Sequence, residues 1–386
     1  MRRSLVGGRL DVPGRPALSI ALVLVALAAL AGAPAYAEDI KVAIVGPITG
    51  QYAAFGEQMR RGAEQAVKDI DAKGGVLGQK LALQVGDDAC DPKQAVSVAN
   101  RMANEGVLFI AGHYCSGSSI PASAVYAENG VIQITPASTN PALTDDAAKK
   151  GWNNVFRVCG RDDAQGRVAG HYIVEHYKGK KVAILHDKSP YGKGLADETK
   201  KAMNAAGMQE AMYEATNADD KDFSALISKM KQAQIALIYL GGYHTEAGLL
   251  VRQAREQGLK APLLAGDALA TDEFWTITGP AGEGSLMTFA PEPRNLPTAQ
   301  AAVAEFRAQG YEPEGYTLFT YAAMQVYAKA AALAKSDAVD AVSKAMHANK
   351  FDTAIGTIGF DAKGDVVGPD YVVYLWHSGK REELPH

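Results

Sequence analysis

Short apolar runs alternate with longer amphipathic segments along most of the chain. Runs of about four to eight apolar residues are typical of buried strands, whereas apolar positions that recur every three or four residues indicate helices. In the first half, the pattern predicts strands Ile40–Val45, Lys80–Asp87, Val107–Ala111 and Val131–Ile134, and helices Gly56–Lys73, Pro92–Asn104 and Ile120–Asn129.

The alternation restarts after Cys159–Gly160. It predicts helices Ala164–Lys178, Gly192–Ala206, Phe223–Ala233 and Thr245–Gln257, with strands Lys181–His186, Met208–Glu214, Ile235–Tyr239 and Pro262–Ala265. Beyond Pro291 follow helices Thr298–Gln309, Tyr316–Lys335 and Ala338–Asn349, then strands Thr357–Phe360 and Tyr371–His377. Strands that alternate with helices form right-handed βαβ units and parallel sheets. Two such series predict an α/β protein with two doubly wound lobes.

The N-terminus has the three parts of an export signal. Four arginines precede the apolar run Ile20–Leu30, and Ala35-Tyr36-Ala37 supplies small residues for cleavage, which we expect near Ala37. The alternative is a membrane anchor, but the apolar run is short of the roughly 20 residues that a spanning helix needs. We therefore expect an exported protein, secreted or periplasmic.

Composition and charge narrow the class of protein. Hydrophobic residues make up 47% and charged residues 21%, which is typical of a well-packed globular protein. The whole chain carries −4. Residues 1–37 hold four arginines and one aspartate, so their removal leaves about −7. A mildly acidic chain without a basic stripe is a poor candidate for binding nucleic acid or an anionic membrane.

The chain has three cysteines. Cys90 and Cys115 each follow a predicted strand, and in an oxidising compartment they would be able to cross-link. The alternative is a pair of free buried thiols. Cys159 is left over, and we interpret it as a small buried hydrophobic residue. No pair of cysteines has the spacing of metal ligands.

Polar residues gather where predicted strands end. Gly112–Ser119 and Thr135–Thr139 place hydroxyls and free backbone N–H groups at strand-to-helix turns, which suits a small anion such as a carboxylate. In the second series the strand ends carry tyrosines and the acids Asp187, Glu246 and Asp267. Ligands of open α/β sheets bind at these ends. A donor-rich lobe that faces an acidic lobe predicts a zwitterionic ligand, with aromatic residues lining its apolar part.

Each candidate has a simpler interpretation. The serines after Cys115 are favoured N-cap residues, Thr139 precedes Pro141 as a turn residue would, and Asp267 would cap a following helix. Phe55 and Tyr316 are typical of a core. His113 and His244 lack partners at ligand spacing, so we predict no metal site. The sequence has no HExxH, GxSxG, P-loop or post-strand GxGxxG motif.

Several motifs together are similar to one family. They are Asp39–Val45 followed by Gly46-Pro47, Gly62–Ala66, DDACDPKQA at 87–95, GHYCS at 112–116, ITPAST at 134–139 and GGYH at 241–244. Across residues 39–380 the chain resembles the leucine/isoleucine/valine-binding proteins of bacterial ABC transporters. The pairing of DDACDPKQA with a later HxCS is highly specific.

The resemblance implies a type I periplasmic binding protein fold, with two α/β lobes joined by a three-strand hinge that closes on the ligand. After the signal peptide, residues 1–37, lobe 1 would comprise residues 38–158 and 290–368. Lobe 2 would comprise residues 159–289 and 369–386.

The resemblance also assigns the site. It implies a disulfide between Cys90 and Cys115. Ligand contacts would fall on Ser116, Ala137, Thr139, Tyr243, Asp267, Phe55, Tyr191 and Tyr316. Asp267 stands where the branched-chain binders commonly have glutamate. One methylene less shortens its reach toward a ligand ammonium.

We expect a monomeric receptor that binds a neutral branched-chain or aliphatic L-amino acid without a cofactor and delivers it to ABC permease subunits. Other amino acids, aromatic, small neutral or resembling γ-aminobutyrate, are the alternative ligands. Rival functions are a ligand sensor and, less favoured, an exported enzyme of the amidase type. A transcription regulator of this fold is disfavoured, because no DNA-binding segment is recognisable.

Overall fold

The computed structural model describes residues 1, 4, 5, 7–11 and 38–385. Contacts divide the chain into two units, Met1–Glu38 and Asp39–His386, and all that follows concerns the second. The predicted apolar run and cleavage site, residues 20–37, lie outside the described residues. None of the helices in the described part of the chain has the length and apolarity needed to span a bilayer.

The first sheet is parallel and has five strands in the order β2-β1-β3-β4-β5. Its interior strands read as continuous apolar runs because helices cover both faces of such a sheet. The strands are β1 Ile40–Gly46, β2 Leu81–Asp87, β3 Phe109–Gly112, β4 Ile132–Thr135 and β5 Val155–Arg157. The helices between them are α1 Ala53–Ala72, α2 Pro92–Asn104, α3 Ser116–Glu128 and α4 Ala142–Lys149.

The second sheet has seven strands in the order β15-β14-β10-β9-β8-β6-β7. Its strands are β6 Val182–His186, β7 Met212–Ala215, β8 Leu237–Gly241, β9 Leu263–Ala265, β10 Leu286–Phe289, β14 Val372–His377 and β15 Lys380–Glu383. The helices of this region are α5 Asp162–Tyr177, α6 Pro190–Ala205, α7 Ser224–Ala233, α8 His244–Glu256 and α9 Asp272–Thr278.

The remaining elements follow β10. Helices α10 Gln300–Ala308, α11 Thr317–Ala334 and α12 Val339–Ala348 lead to a small antiparallel sheet of β11 Phe351–Thr353, β12 Gly356–Phe360 and β13 Val366–Val367. Helix α11 packs against α1, on the side of the first sheet. The chain therefore passes between the two sheets three times: after β5, after β10 and before β14. We call residues 158–161, 290–293 and 366–371 the three passages.

The expectation of purely parallel sheets is wrong for the second sheet. Strands β10 and β14 are antiparallel, as are β14 and β15, because the chain returns from the small sheet to the free edge of β10. The predicted helix at Ile120 begins four residues earlier, at Ser116. The predicted strand at Met208 begins only at Met212, because the Met208 N–H still bonds to Met203 of the preceding helix. The lobe boundaries given above stay a prediction.

Candidate functional site

Six of the eight predicted ligand residues follow the carboxyl ends of parallel strands. Ser116 begins α3 after β3, Ala137 and Thr139 follow β4, Tyr191 lies in α6 after β6, Tyr243 caps α8 after β8, and Asp267 follows β9. Phe55 lies in α1, and Tyr316 precedes α11. All eight are buried, each with 5% or less of its surface exposed.

The turn between β3 and α3 is fixed by backbone packing and a covalent bond. A side chain at Gly112 would meet the Val45 carbonyl oxygen at 2.2 Å, so only glycine fits between the strands there. Cys115 forms a disulfide with Cys90, as the resemblance implied, with their Cα atoms 5.6 Å apart. Ser116 Oγ accepts a hydrogen bond of 3.2 Å from the Asn140 N–H. The two hydroxyl-bearing turns are thus tied together.

Arg157 holds the turn that carries Thr139. Its fully buried guanidinium donates to the carbonyl oxygens of Ser138 at 2.7 Å and Asn140 at 3.0 Å, the two residues that flank Thr139. Its Nε lies 2.7 Å from Asp365 Oδ1, next to the third passage. Thr139 itself is fully buried, and its hydroxyl has no hydrogen-bond partner. The hydrogen bonds from Arg157 therefore fix the backbone on both sides of the Thr139 hydroxyl.

Asp267 is the acid at the centre of the site. Its two oxygens accept from phenol groups, one from Tyr191 at 2.8 Å and one from Tyr316. Burial raises the pKa of Asp267, and the hydrogen bonds from Tyr316, Tyr191 and Gln165 oppose that rise. Tyr191 and Tyr316 were expected only as aromatic lining, so their polar role is an addition to the sequence-based interpretation.

An aromatic cluster surrounds this acid. It consists of Phe55, Tyr114, Tyr191, Tyr243 and Tyr316. Tyr114 stacks on Phe55 with ring centres 4.5 Å apart and meets Tyr316 edge-on at 5.6 Å. Tyr243 lies 5.1 Å from Tyr191 and 6.1 Å from Tyr114. The cluster joins residues next to both sheets, as a site between two lobes requires.

A pair of buried acids lies beside Tyr243. Asp187 and Glu246 each have one oxygen bonded to a backbone N–H, from Ser189 at 2.8 Å and Asp219 at 3.0 Å, and one oxygen without a partner. The buried Tyr52 packs against Tyr243, with ring centres 4.3 Å apart and the rings tilted by 32°. The pKa of Tyr52 is raised by burial and by the charges of Glu246 and Asp187. Burial raises the pKa of Asp187 to about 6, and the Glu246 charge adds to this rise.

The predicted residues fall into two groups in the structure. Phe55, Tyr191, Tyr243, Tyr316 and Asp267 form one connected cluster. Ser116 and Thr139 lie on two turns that are joined by the Asn140 N–H, which donates to Ser116, and by the Ser138 hydroxyl, which donates to the Tyr114 carbonyl. Ala137 is buried within the turn Thr135–Thr139, where its N–H donates to Thr135 Oγ1 at 3.2 Å.

Sequence reasoning missed Tyr114 and Asp162. Tyr114 lies inside the GHYCS motif, two residues before Ser116, so the motif itself was the available signal. Asp162 is fully buried, and neither of its carboxylate oxygens has a partner. Asp162 follows the first passage and not a predicted strand, so the hydrophobic pattern gave no signal that it lies near the site.

The two histidines near the site have structural partners. The ring of His113 is buried between Asp88 and Tyr126, with nitrogen-to-oxygen distances of 2.5 and 2.8 Å. His244 Nε2 lies 2.9 Å from a Glu273 oxygen. Within the described residues, no group of three or more His, Cys, Asp or Glu side chains is arranged to hold a metal ion.

A separate cavity of about 520 Å³ lies beside the three passages. Cys159, Pro291 and Tyr371 line it together with apolar residues of the small sheet, and none of the eight predicted ligand residues does. Cys159 is buried, which raises the pKa of its thiol, so it behaves as the inert residue expected from the sequence. The candidate ligand site is therefore identified by the buried polar residues at the strand ends and not by this cavity.

With this geometry in place, comparisons with known proteins define the class. Residues 39–381 match the periplasmic binding protein family, and the chain belongs to that family. The chain is 51% identical over 358 residues to the "Leu/Ile/Val-binding protein homolog 1" of Brucella suis biovar 1, covering 92% of this chain and 95% of the relative. It is 43% identical to the "Leucine-, isoleucine-, valine-, threonine-, and alanine-binding protein" of Pseudomonas aeruginosa, covering 95% and 97%.

A solved structure agrees with the fold. The branched-chain amino acid transporter substrate binding protein LivJ of Streptococcus pneumoniae, in complex with isoleucine, superimposes with a TM-score of 0.80 at 27% identity, covering 89% of this chain and 98% of LivJ. The predicted fold class, a type I periplasmic binding protein with two α/β lobes, is confirmed.

Proposed function

We propose that this protein is a periplasmic receptor that captures a neutral branched-chain or aliphatic L-amino acid and delivers it to an ABC permease. The observation that carries the proposal is the buried Asp267, whose two oxygens accept hydrogen bonds from Tyr191 and Tyr316 of the aromatic cluster. The printed names of the Brucella and Pseudomonas relatives and of LivJ support the same class of ligand.

Each chemical group of such a ligand has a counterpart in the site. Ser116 and Thr139, with backbone N–H groups at the start of α3, would hold the carboxylate at the positive end of that helix. Asp267, the Thr139 hydroxyl and the Ala137 carbonyl would hold the ammonium, and Tyr243 would complete the polar shell. The aromatic cluster would enclose the aliphatic side chain. Binding is non-covalent.

Closure of two lobes would bury the ligand. In this proposal, lobe 1 comprises residues 38–158 and 290–368 and lobe 2 comprises residues 159–289 and 369–386. The three passages between the sheets would then serve as the hinge. A leader cleaved near Ala37 would export the chain to the periplasm, where the receptor works as a monomer and meets the permease subunits.

Replacing Asp267 with alanine tests the proposal. A charge-assisted hydrogen bond contributes about 1.5–3 kcal/mol, so the Asp267→Ala variant should bind leucine, isoleucine and valine at least about tenfold more weakly. Titration calorimetry on the purified mature chain measures the change. The matched control is Asp272→Asn, an exposed acid in the same segment, whose Kd for leucine should stay within about twofold.

Equal affinities of wild type and Asp267→Ala for all three amino acids would contradict the assigned role of Asp267. If the wild type bound none of the three, the proposed ligand class itself would be wrong. Turnover of an amino-acid amide by the purified protein would instead favour an exported enzyme.

A second class of ligand, γ-amino acids, is favoured by one observation. Asp267 has a shorter side chain than the glutamate common in the branched-chain binders, and two phenol groups already occupy its oxygens. A ligand whose ammonium lies farther from its carboxylate would reach the acid more easily. A thermal-shift screen that includes alanine, phenylalanine and γ-aminobutyrate separates the two classes.

A further inference from the structure

Asp162 is a fully buried carboxylate without a hydrogen-bond partner. It is the first residue of α5, directly after the first passage, and neither of its oxygens makes a hydrogen bond. Its backbone N–H donates to the Thr139 carbonyl oxygen at 2.9 Å, which fixes it beside the turn that carries the Thr139 hydroxyl. A buried ionised carboxylate is very costly unless it is paired and hydrogen-bonded.

The neighbouring cation does not supply that partner. Arg157 donates to Ser138, Asn140 and Thr144, and its Nε forms an ion pair with Asp365 at 2.7 Å without a hydrogen bond. The start of α5 provides only the modest stabilisation of a helix dipole. Burial raises the pKa of Asp162 well above its usual range, and the Asp267 charge raises it further; the nearby Thr139 hydroxyl and the Arg157 charge act against this rise without reversing it. That hydroxyl is close to the carboxylate but also lacks a hydrogen bond of normal geometry.

The surroundings of Asp162 match one chemical group. Three oxygens without partners, two on Asp162 and one on Thr139, lie together where α5 begins beside the turn after β4. The charge of Asp267, which follows β9 of the second sheet, acts on the same place. A primary ammonium has three N–H donors and a positive charge, so it satisfies two carboxylates and a hydroxyl at once. A ligand hydroxyl has one donor and no charge, and would leave a carboxylate unpaired.

We infer that Asp162 is a second carboxylate of the ammonium subsite, so that the ligand ammonium donates to Asp162 as well as to Asp267. The inference rests on the proposed function and refines its ligand class. Two acids at the ammonium select amino acids over the corresponding 2-hydroxy acids. They also compensate for the shorter reach of Asp267.

The test compares L-leucine with L-2-hydroxy-4-methylpentanoate, which has a hydroxyl in place of the ammonium. Asp162→Asn keeps the shape and removes the charge. We expect its Kd for leucine to rise at least tenfold, while that for the hydroxy acid, followed by saturation-transfer NMR, changes less than threefold. Asp163→Asn is the matched control, because it removes a charge from the same helix turn at a half-buried side chain paired with Arg161. Its Kd for leucine should change less than threefold.

A second measurement separates binding from folding. Because Asp162→Asn removes a buried unpaired charge, its melting temperature without ligand should equal or exceed that of the wild type. Weaker leucine binding together with a lowered melting temperature, or equal losses for both ligands, would overturn the inference. So would an unchanged Kd for leucine. If the wild type failed to bind any amino acid, the proposed function would fail first, and that result is distinct from a failure seen only in Asp162→Asn.

Discussion

Arg157 connects the candidate site to the third passage. Its guanidinium donates to both carbonyl groups that flank Thr139, and its Nε forms an ion pair with Asp365, directly before the third passage. Asp365 also accepts from Arg161 at 2.7 Å and from Thr144 at 2.7 Å. The position of the Thr139 hydroxyl therefore depends on a buried ionic network rather than on the turn alone.

Replacing Arg157 with methionine should damage stability and binding together. Removing one partner of a buried ion pair typically costs about 3–5 kcal/mol, because the remaining charge is left uncompensated. The unfolding free energy from urea titration should fall by about that amount, and leucine binding should weaken because Thr139 is no longer held. The control is Arg167→Met, whose pair with Asp370 is half-exposed and is worth at most about 1 kcal/mol. Similar losses in both variants would show that burial of the pair is not the cause.

The residues of the site were predictable where they follow strand ends. Ser116, Thr139 and Asp267 stand directly after apolar runs, and strand ends of open α/β sheets meet at one edge. Asp162 follows the first passage, and its place beside Thr139 results from a contact that no local pattern encodes. The roles of Tyr191 and Tyr316 as donors to Asp267 depend on distances across the site, which spacing along the chain does not determine.

Among the elements, the start of α3 depends on a covalent anchor. Cys115 is the N-cap residue of α3, and its disulfide to Cys90 joins the loops that follow β2 and β3. Reducing the bond should lower the unfolding free energy by about 3 kcal/mol in the chain-entropy account. The measurement is urea unfolding with and without dithiothreitol.

Two variants check that the effect belongs to this bond. A Cys90→Ser, Cys115→Ser double variant should be less stable than the wild type and insensitive to the reductant. Cys159→Ala should keep the full sensitivity, because Cys159 is not part of the bond. If dithiothreitol did not change the unfolding free energy of the wild type, the prediction would be contradicted.

The long elements were predicted, and the elements that were missed are short ones. The apolar runs of β1 and β8 and the amphipathic α1 and α8 have clear periods. Helix α4 has eight residues and β5 has three, and segments this short form through packing of residues such as Leu143 and Val155 rather than through their own pattern. The antiparallel pairing of β10 with β14 joins segments far apart in the chain, and periodicity does not indicate direction.

At the scale of the whole molecule, the raised pKa of Asp187 should make the stability of the protein depend on pH. Its pKa is about 6 in the folded chain, raised mainly by burial from the ordinary 3.8. Between these values the folded state binds the additional proton, so this group makes the protein more stable as the pH falls from 7 towards 4, by up to about 3 kcal/mol. Asp187→Asn should be more stable than the wild type at pH 7, with the difference shrinking near pH 4. Urea unfolding at both pH values measures it.

The control for this prediction is Asp197, whose pKa shift has the opposite sign to that of Asp187. The pKa of Asp197 is lowered, because hydrogen bonds from Lys193 and Tyr213 outweigh its partial burial. Asp197→Asn should therefore be slightly less stable than the wild type at pH 7, and the gap should close as the pH falls through the ordinary pKa of an aspartate. If Asp187→Asn behaved in the same way as Asp197→Asn, the burial of Asp187 would not control the pH response.

Some contacts join the two sides of the cleft without involving any predicted ligand residue. The Asn140 amide donates to the Pro190 carbonyl at 2.6 Å, and the Thr245 hydroxyl donates to the Gln51 carbonyl at 3.3 Å. Such contacts bias the equilibrium between open and closed forms equally for every ligand, so they set overall affinity and leave discrimination untouched. An engineer who wished to adjust the working range of a biosensor built on this scaffold would vary Asn140 or Thr245, and would keep the proposed ammonium subsite intact.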